Sequence, residues 1–166
     1  MSSNGYIATL QIPEIPDPAF SQYQAVAGGD IRTAGTRDHK QPWTIAVQDP
    51  AKKGLFPDTI HLTDAAVATS GSYEVYFDRD KLFHHIVNST SGRSPNTSMS
   101  VSVIAPSAMA ADALATGVFV MEPHRGIEFI DSLPGYEGLI VDAAGLQFKS
   151  TGWKSATPIN GEKAEP

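Results

Sequence analysis

A change from alternating to helical spacing over residues 98–121 constrains the fold of this chain more than any other feature. The stretch SMSVSVIAP (98–106) alternates polar and apolar residues, which predicts a half-buried β-strand that stops at Pro106. Ser107 follows in the position of a helix N-cap, and AMAADALATGVFVM continues with helical periodicity. This segment therefore predicts a strand that leads directly into a helix.

Weaker versions of both patterns occur on either side of this segment. Strands are predicted within 23–30, 42–50 and 58–71, and a hairpin within 72–87. The 58–71 stretch predicts two short strands closed by a Thr-Ser-Gly turn. The turn of the hairpin within 72–87 is predicted at 78–80. A second helix is predicted at 124–133 and a final hairpin at 137–150. Together these elements predict a strand-rich α+β fold with a mixed or antiparallel sheet and two late helices.

The length of 166 residues suits one domain with a real core. Residues 1–22 contain three closely spaced prolines and predict an extended lead-in. Residues 23–152 hold the predicted elements and form the expected domain. Residues 153–166 predict a loose tail.

Composition excludes several classes of protein. The net charge of −6 argues against nucleic acid as a main partner, because a phosphate backbone requires a basic face. The absence of cysteine excludes disulfides, thiolate metal sites and cysteine nucleophiles. No apolar stretch approaches the length of a membrane span, and the N-terminus lacks the pattern of a signal peptide.

The helix after Ser107 carries a possible metal site. Asp112 and Thr116 are four residues apart and share one face, whereas Leu114, Val118 and Met121 predict the core side. A carboxylate and a hydroxyl are oxygen ligands that suit Mg²⁺. The same spacing also occurs on ordinary solvated helix faces, so the pattern leaves both interpretations open.

Two adjacent histidines end the apolar run KLFHHIV at 81–87. Neighbouring side chains of an extended chain point to opposite sides. Only one of His84 and His85 can therefore face a given site, and the other must face the core or water.

Five blocks of sequence between residues 23 and 152 resemble the C-terminal half of the ApbE family, the FAD:protein FMN transferases. In order, they are AGGDIRTAGTRDHKQPWTIAVQDP, AVATSGSYEVYF, HHIVNSTSGRSP, SVSVIAPSAMAADALATGVFVM and YEGLIVDAAG. The resemblance implies an ApbE-type fold and a Mg²⁺-dependent transferase. Such an enzyme cleaves FAD, attaches FMN to a Thr or Ser of an acceptor protein and releases AMP.

The resemblance also implies roles for particular residues. The metal-binding aspartate and threonine of the family fall on Asp112 and Thr116, and its catalytic histidine falls on His85. His84 is then expected to face away from the site.

A second group of residues is implied to contact the flavin. Thr69, Ser70 and Gly71 would lie near it. Met99, just ahead of the S-V-x-V sequence at 100–103, corresponds to a residue that lines the FAD pocket.

Two departures from the family pattern oppose a complete enzyme. The family reads Asp-Pro where this chain has Asn88-Ser89, and no counterpart of the family's N-terminal half is found in residues 1–22. A non-catalytic flavin- or metal-binding or assembly module is therefore the alternative. On that view the chain would need a partner chain or self-association. The family is often exported, but no export signal is recognised, so the compartment stays open.

Overall fold

The computed structural model describes residues 22–37, 40–48, 50, 56–73, 76–77 and 83–156. Ten regular elements follow one another in this part of the chain: β1 (Tyr23–Ala27), β2 (Asp30–Ala34), β3 (Trp43–Ala46), β4 (Thr59–Leu62), β5 (Ala66–Gly71), β6 (Ser98–Ala105), α1 (Ala108–Phe119), α2 (Pro123–Asp131), β7 (Glu137–Asp142) and β8 (Gln147–Lys149).

Six of the strands form one sheet in the order β1-β2-β5-β6-β7-β8. Every neighbouring pair in this sheet is antiparallel. The remaining strands, β3 and β4, form a separate antiparallel pair. The predicted α+β class, with an antiparallel sheet and two late helices, is confirmed.

The large sheet is covered on both faces, and alternation along β5 shows how. Ala66 and Ala68 pack with Ala111 of α1, whereas Val67 between them packs with the β3–β4 pair. On β7, Ile140 lies in the cluster with α1 and α2, and Leu139 lies in the cluster with β3 and β4. The helices therefore cover one face, and the small sheet covers the other.

The start of α1 follows the sequence prediction closely. The Ser107 hydroxyl accepts a hydrogen bond from the backbone N–H of Ala110 at 3.3 Å, as an N-cap does. Of the predicted core side, Val118 is buried, whereas Leu114 and Met121 are only partly buried. Small residues and Phe119 complete the buried side: Ala111, Ala115 and Phe119.

The Thr-Ser-Gly turn predicted to close 58–71 is wrong. Thr69, Ser70 and Gly71 continue β5, where they pair with β6. Gly71 leaves room for the Tyr73 ring, because an added Cβ at 71 would overlap this ring unless the tyrosine moved. The two strands predicted within 58–71 are present as β4 and β5, and they belong to different sheets.

The hairpin predicted over 72–87 is described only in part, and the described pairs lie next to its turn. Tyr76 and His84 form an antiparallel bridge, and Phe77 N–H donates to the Phe83 carbonyl at 2.8 Å. The turn predicted at 78–80 lies outside the described residues. The final hairpin over 137–150 is confirmed by the pairing of β7 with β8.

The loose tail predicted from residue 153 does not begin there. Trp153 is only 7% exposed and packs with the β3–β4 cluster, and Ser155 bridges to Ile60. The indole N–H of Trp153 also donates to Asp58 at 2.8 Å. Residues 157–166 and residues 1–21 of the lead-in predicted over 1–22 lie outside the described part. Neither described helix is long and apolar enough to cross a membrane.

Candidate metal and flavin site

The polar face of α1 presents Asp112 and Thr116 together, as their spacing predicts. Both residues are exposed, whereas Ala111 and Ala115, their neighbours along the helix, are buried against the sheet. A carboxylate and a hydroxyl therefore project from one turn of a helix that is fixed on its opposite side.

A hydroxyl from the sheet meets this face. Ser70 Oγ on β5 lies 2.9 Å from Thr116 Oγ1, within hydrogen-bond distance. The preceding residue of β5 points the other way, since Thr69 Oγ1 lies 2.8 Å from Ser102 Oγ on β6. Of the three residues expected near the flavin, Ser70 thus reaches the α1 face, and the side chain of Thr69 does not.

A second carboxylate approaches the same face from β2. Ile31 packs with the small sheet, and the Arg32 guanidinium donates to the Pro106 carbonyl just before α1 at 3.0 Å. By alternation, Asp30 lies on the helix side of the sheet. Burial raises the pKa of Asp30 above 3.8, and the negative charge of Asp112 raises it further. The carboxylates of Asp30 on β2 and Asp112 on α1 are therefore close enough to interact.

The donors on this face fit Mg²⁺ rather than a transition metal. All of them are oxygens, and the described residues contain no group of three or more His, Cys, Asp or Glu side chains placed to hold a metal. Mg²⁺ commonly binds through one or two carboxylates, keeps several waters and takes further oxygens from a phosphate substrate. Asp112 and Thr116 are the residues that would hold it.

The two histidines separate as alternation predicts. His84 is 4% exposed, and its ring lies edge-on to Phe119 of α1, with centroids 5.6 Å apart. His85 is exposed, and Ile86 is buried in the cluster with α1. The residues on either side of His85 therefore fasten this segment to the helix that carries Asp112 and Thr116.

The loop after the histidines is ordered by Asn88. Its side-chain oxygen accepts hydrogen bonds from the backbone N–H groups of Thr90 at 2.9 Å and Ser91 at 3.1 Å. The Asn88 backbone N–H donates to the Arg93 carbonyl at 2.9 Å. An amide oxygen makes here the same two side-chain bonds that an aspartate oxygen would make. The change from Asp to Asn thus leaves a stable turn beside His85.

Gly71 and Met99 come together where β5 ends and β6 begins. The Met99 carbonyl accepts a hydrogen bond from the Ser72 N–H at 3.0 Å, and the register of β6 against β7 shifts between Ser98 and Ser100. Such irregularities often lie beside functional sites because they redirect a side chain. Met99 is half-buried at this position.

Sequence reasoning missed two features of this face. The approach of Asp30 to Asp112 and the Ser70–Thr116 contact both join residues far apart in the chain. Neither has a signal in local spacing. The Gly28-Gly29 turn, in which both glycines have positive φ, is the feature that places Asp30 at the start of β2.

Comparison with known proteins defines the class to which this fold and site belong. Residues 4–140 match the sequence profile of the ApbE family. The FAD:protein FMN transferase of Vibrio cholerae is 40% identical over 111 residues, which are 65% of this chain and 33% of that protein. The FAD:protein FMN transferase of Treponema pallidum is 34% identical over 116 residues, which are 68% of this chain and 32% of that protein.

Solved structures agree with this relationship. The crystal structure of the ApbE protein from Thermotoga maritima superposes with a TM-score of 0.72 at 37% identity, covering 78% of this chain and 43% of that one. The chain therefore belongs to the ApbE family. It spans about a third of the length of the curated relatives it matches.

Proposed function

We propose that this chain acts in FAD:protein FMN transfer. The acceptor's Thr or Ser hydroxyl oxygen attacks the phosphorus of the FMN half of FAD, and the pyrophosphate P–O bond to AMP breaks. The products are a phosphoester-linked FMN on the acceptor protein and free AMP. The observation that carries this proposal is the attachment of the His85 segment to α1, the same helix that presents Asp112 and Thr116.

His85 is the candidate general base. Its exposed imidazole is available to accept the proton that the attacking hydroxyl loses. The neighbouring His84 is unsuited to this task because its Nε2 lies 2.8 Å from the Pro95 carbonyl and its Nδ1 accepts from the Ile86 N–H at 3.3 Å.

Asp112 and Thr116 are the candidate metal-holding residues. A bound Mg²⁺ ion would supply positive charge to a pyrophosphate group. Asp112 contributes one negative charge, and Thr116 contributes a neutral oxygen. Together they would leave one positive charge of a bound Mg²⁺ ion uncompensated. The carboxylate of Asp30 lies close enough to Asp112 to interact with it.

Ser70, Gly71 and Met99 are the remaining candidates for flavin contact. Gly71 and Met99 lie at adjoining ends of β5 and β6, and Ser70 lies beside them on the helix side. The Thr69 side chain is engaged on the opposite face with Ser102, so its contact with flavin is not part of the proposal.

The test is a transfer assay with the 166-residue chain in molar excess over a Thr-bearing acceptor. FAD and Mg²⁺ are supplied, and the readouts are flavin fluorescence on the denatured acceptor and release of AMP. We expect both signals to require Mg²⁺ and to disappear in His85→Ala and Asp112→Ala. Glu128→Gln, which removes one charge from an exposed position of α2, is the matched control and should behave as wild type.

The second candidate is a module that binds FAD and Mg²⁺ without chemistry. It is favoured by the exposure of His85, Asp112 and Thr116, which leaves the site open to water. Metal-dependent FAD binding with no AMP and no labelled acceptor would support the module and reject the transferase. Mg²⁺- and His85-dependent release of AMP would reject the module.

A further inference from the structure

Two hydroxyl pairs lie on opposite faces of β5, and they differ in surroundings. Thr69 and Ser102 join two strands of the same sheet, with Ser102 fully buried. Ser70 and Thr116 instead join the sheet to the exposed face of α1. Only the second pair includes a candidate metal ligand.

A hydroxyl that binds a cation has a restricted proton direction. It carries one hydrogen and two lone pairs, and the lone pair must face the cation. The proton of Thr116 must then point elsewhere. Ser70 Oγ at 2.9 Å is an acceptor in the right place for it.

Without such an acceptor, the Thr116 hydroxyl has a competing partner. A threonine within a helix readily donates to the backbone carbonyl four residues earlier, which here belongs to Asp112. That bond would orient the Thr116 hydroxyl toward the helix backbone instead of toward Ser70 on the sheet. Ser70 therefore selects among the orientations that are open to Thr116.

We propose that Ser70 is a positioning residue, which accepts the Thr116 hydroxyl proton and so directs the Thr116 lone pair toward the cation. The inference rests on the proposed function, because it concerns the same metal site. Partners of metal ligands commonly change metal affinity by about 10- to 100-fold when they are removed. Ser70 acts through Thr116 and needs no contact with the metal.

The experiment measures Mg²⁺ affinity by isothermal titration calorimetry, using the complete 166-residue chain without FAD. We expect Ser70→Ala to weaken Mg²⁺ binding by about 10- to 100-fold. Ser70→Thr keeps the acceptor oxygen and should retain most of the affinity. Ser102→Ala removes the matched hydroxyl on the other face, so it should lower the thermal midpoint without changing the affinity.

A second variant protects the test against misfolding. Ser70→Cys keeps nearly the same volume but offers a poor hydrogen-bond acceptor, so it should weaken Mg²⁺ binding as Ser70→Ala does. The thermal midpoint of each variant in chelator reports folding separately from metal binding. A merely structural role of Ser70 would move that midpoint and leave the affinity unchanged.

The outcomes separate this inference from the proposed function. Wild-type affinity in folded Ser70→Ala or Ser70→Cys, together with lost binding in Asp112→Ala, would overturn the role of Ser70 and retain the metal site. Absence of Mg²⁺ binding by the wild-type chain, or unchanged binding in Asp112→Ala, would overturn the metal site and the inference with it. Weakened binding in both Ser70 variants, with rescue by Ser70→Thr, supports the inference.

Discussion

At the scale of single residues, the adjacent histidines have different environments. His84 is buried and hydrogen-bonded within the protein, whereas His85 is exposed and available for chemistry. The Nε2 atom of His84 lies 2.8 Å from the Pro95 carbonyl, which can only accept, so Nε2 carries the proton. Nδ1 then accepts from the Ile86 N–H. Both ring nitrogens of His84 are thus used inside the protein, whereas His85 projects outward.

Replacement by alanine should destabilise the protein at His84 and leave its stability nearly unchanged at His85. His84→Ala removes two hydrogen bonds and the packing on Phe119, so we expect a loss of about 2 kcal/mol or more in unfolding free energy. His85→Ala should change it by less than about 0.5 kcal/mol, as is usual for exposed positions. Urea unfolding of both variants measures the difference. Equal destabilisation of the two would contradict the separation of their environments.

Local spacing explains which site residues were predictable. Asp112 and Thr116 share a helix face wherever that helix packs, and the alternation of His84 and His85 holds for any extended backbone. The contact of Ser70 with Thr116 spans 46 positions and depends on which strand lies under α1. No periodicity carries that information, so the helix face was predictable and its partner on the sheet was not.

At the scale of elements, an Asp58 network fastens the C-terminal segment to the sheets. The Asp58 carboxylate accepts hydrogen bonds from Trp153 at 2.8 Å and Ser155 at 2.6 Å, and it forms an ion pair with Lys149 of β8 at 2.8 Å. The Thr59 N–H at the start of β4 also donates to it. This network explains why residues 153–155 are held where the proline- and glycine-containing tail predicted a loose chain.

The same network predicts how stability depends on pH. Burial alone would raise the pKa of Asp58, but the bonds from Lys149, Ser155, Trp153 and Thr59 outweigh it and lower the pKa below 3.8. As pH falls, the unfolded chain therefore takes up this proton first. The stabilisation by Asp58 is complete well above pH 3.8, and it is lost as pH falls through 3.8 and then through the lower folded pKa.

Asp58→Asn should therefore be less stable than wild type near neutral pH, and the difference should shrink in acid. Urea midpoints between about pH 7 and about pH 3 measure this, because the slope of stability with pH reports the difference in bound protons. Glu128→Gln controls for the loss of one negative charge. A difference between Asp58→Asn and wild type that stays constant across this range would contradict the assignment.

At the scale of the whole molecule, the sequence predicts which stretches are strands better than it predicts which strands pair. The order β1-β2-β5-β6-β7-β8 leaves β3 and β4 outside the main sheet, although they lie between β2 and β5 in the chain. Alternation marks a two-faced strand, but it does not name the neighbour. The Thr-Ser-Gly prediction failed for this reason, since pairing with β6 extends β5 through residues that favour turns in isolation.

The last prediction concerns the activity of the 166-residue chain by itself. His85, Asp112 and Thr116 are all exposed, so FAD bound among them would remain in contact with water. Electrostatic stabilisation of a transition state is strongest where water is excluded, and positioning errors near 1 Å can cost about 100-fold in rate. We therefore expect weak FAD binding and FMN transfer at least about 100-fold slower than that of the Vibrio cholerae transferase.

Association with a second chain would exclude water from this site. Phe77, which pairs with Phe83, and Val87 are 71% and 49% exposed and place apolar surface near the two histidines, where a second copy or another protein can cover it. We expect the transfer rate per chain to rise with chain concentration, in step with a dimer seen by sedimentation, or to rise when a completing partner is added. Efficient transfer by a monomer, at a rate that does not depend on concentration, would contradict this, because the described site would then be sufficient while still open to water.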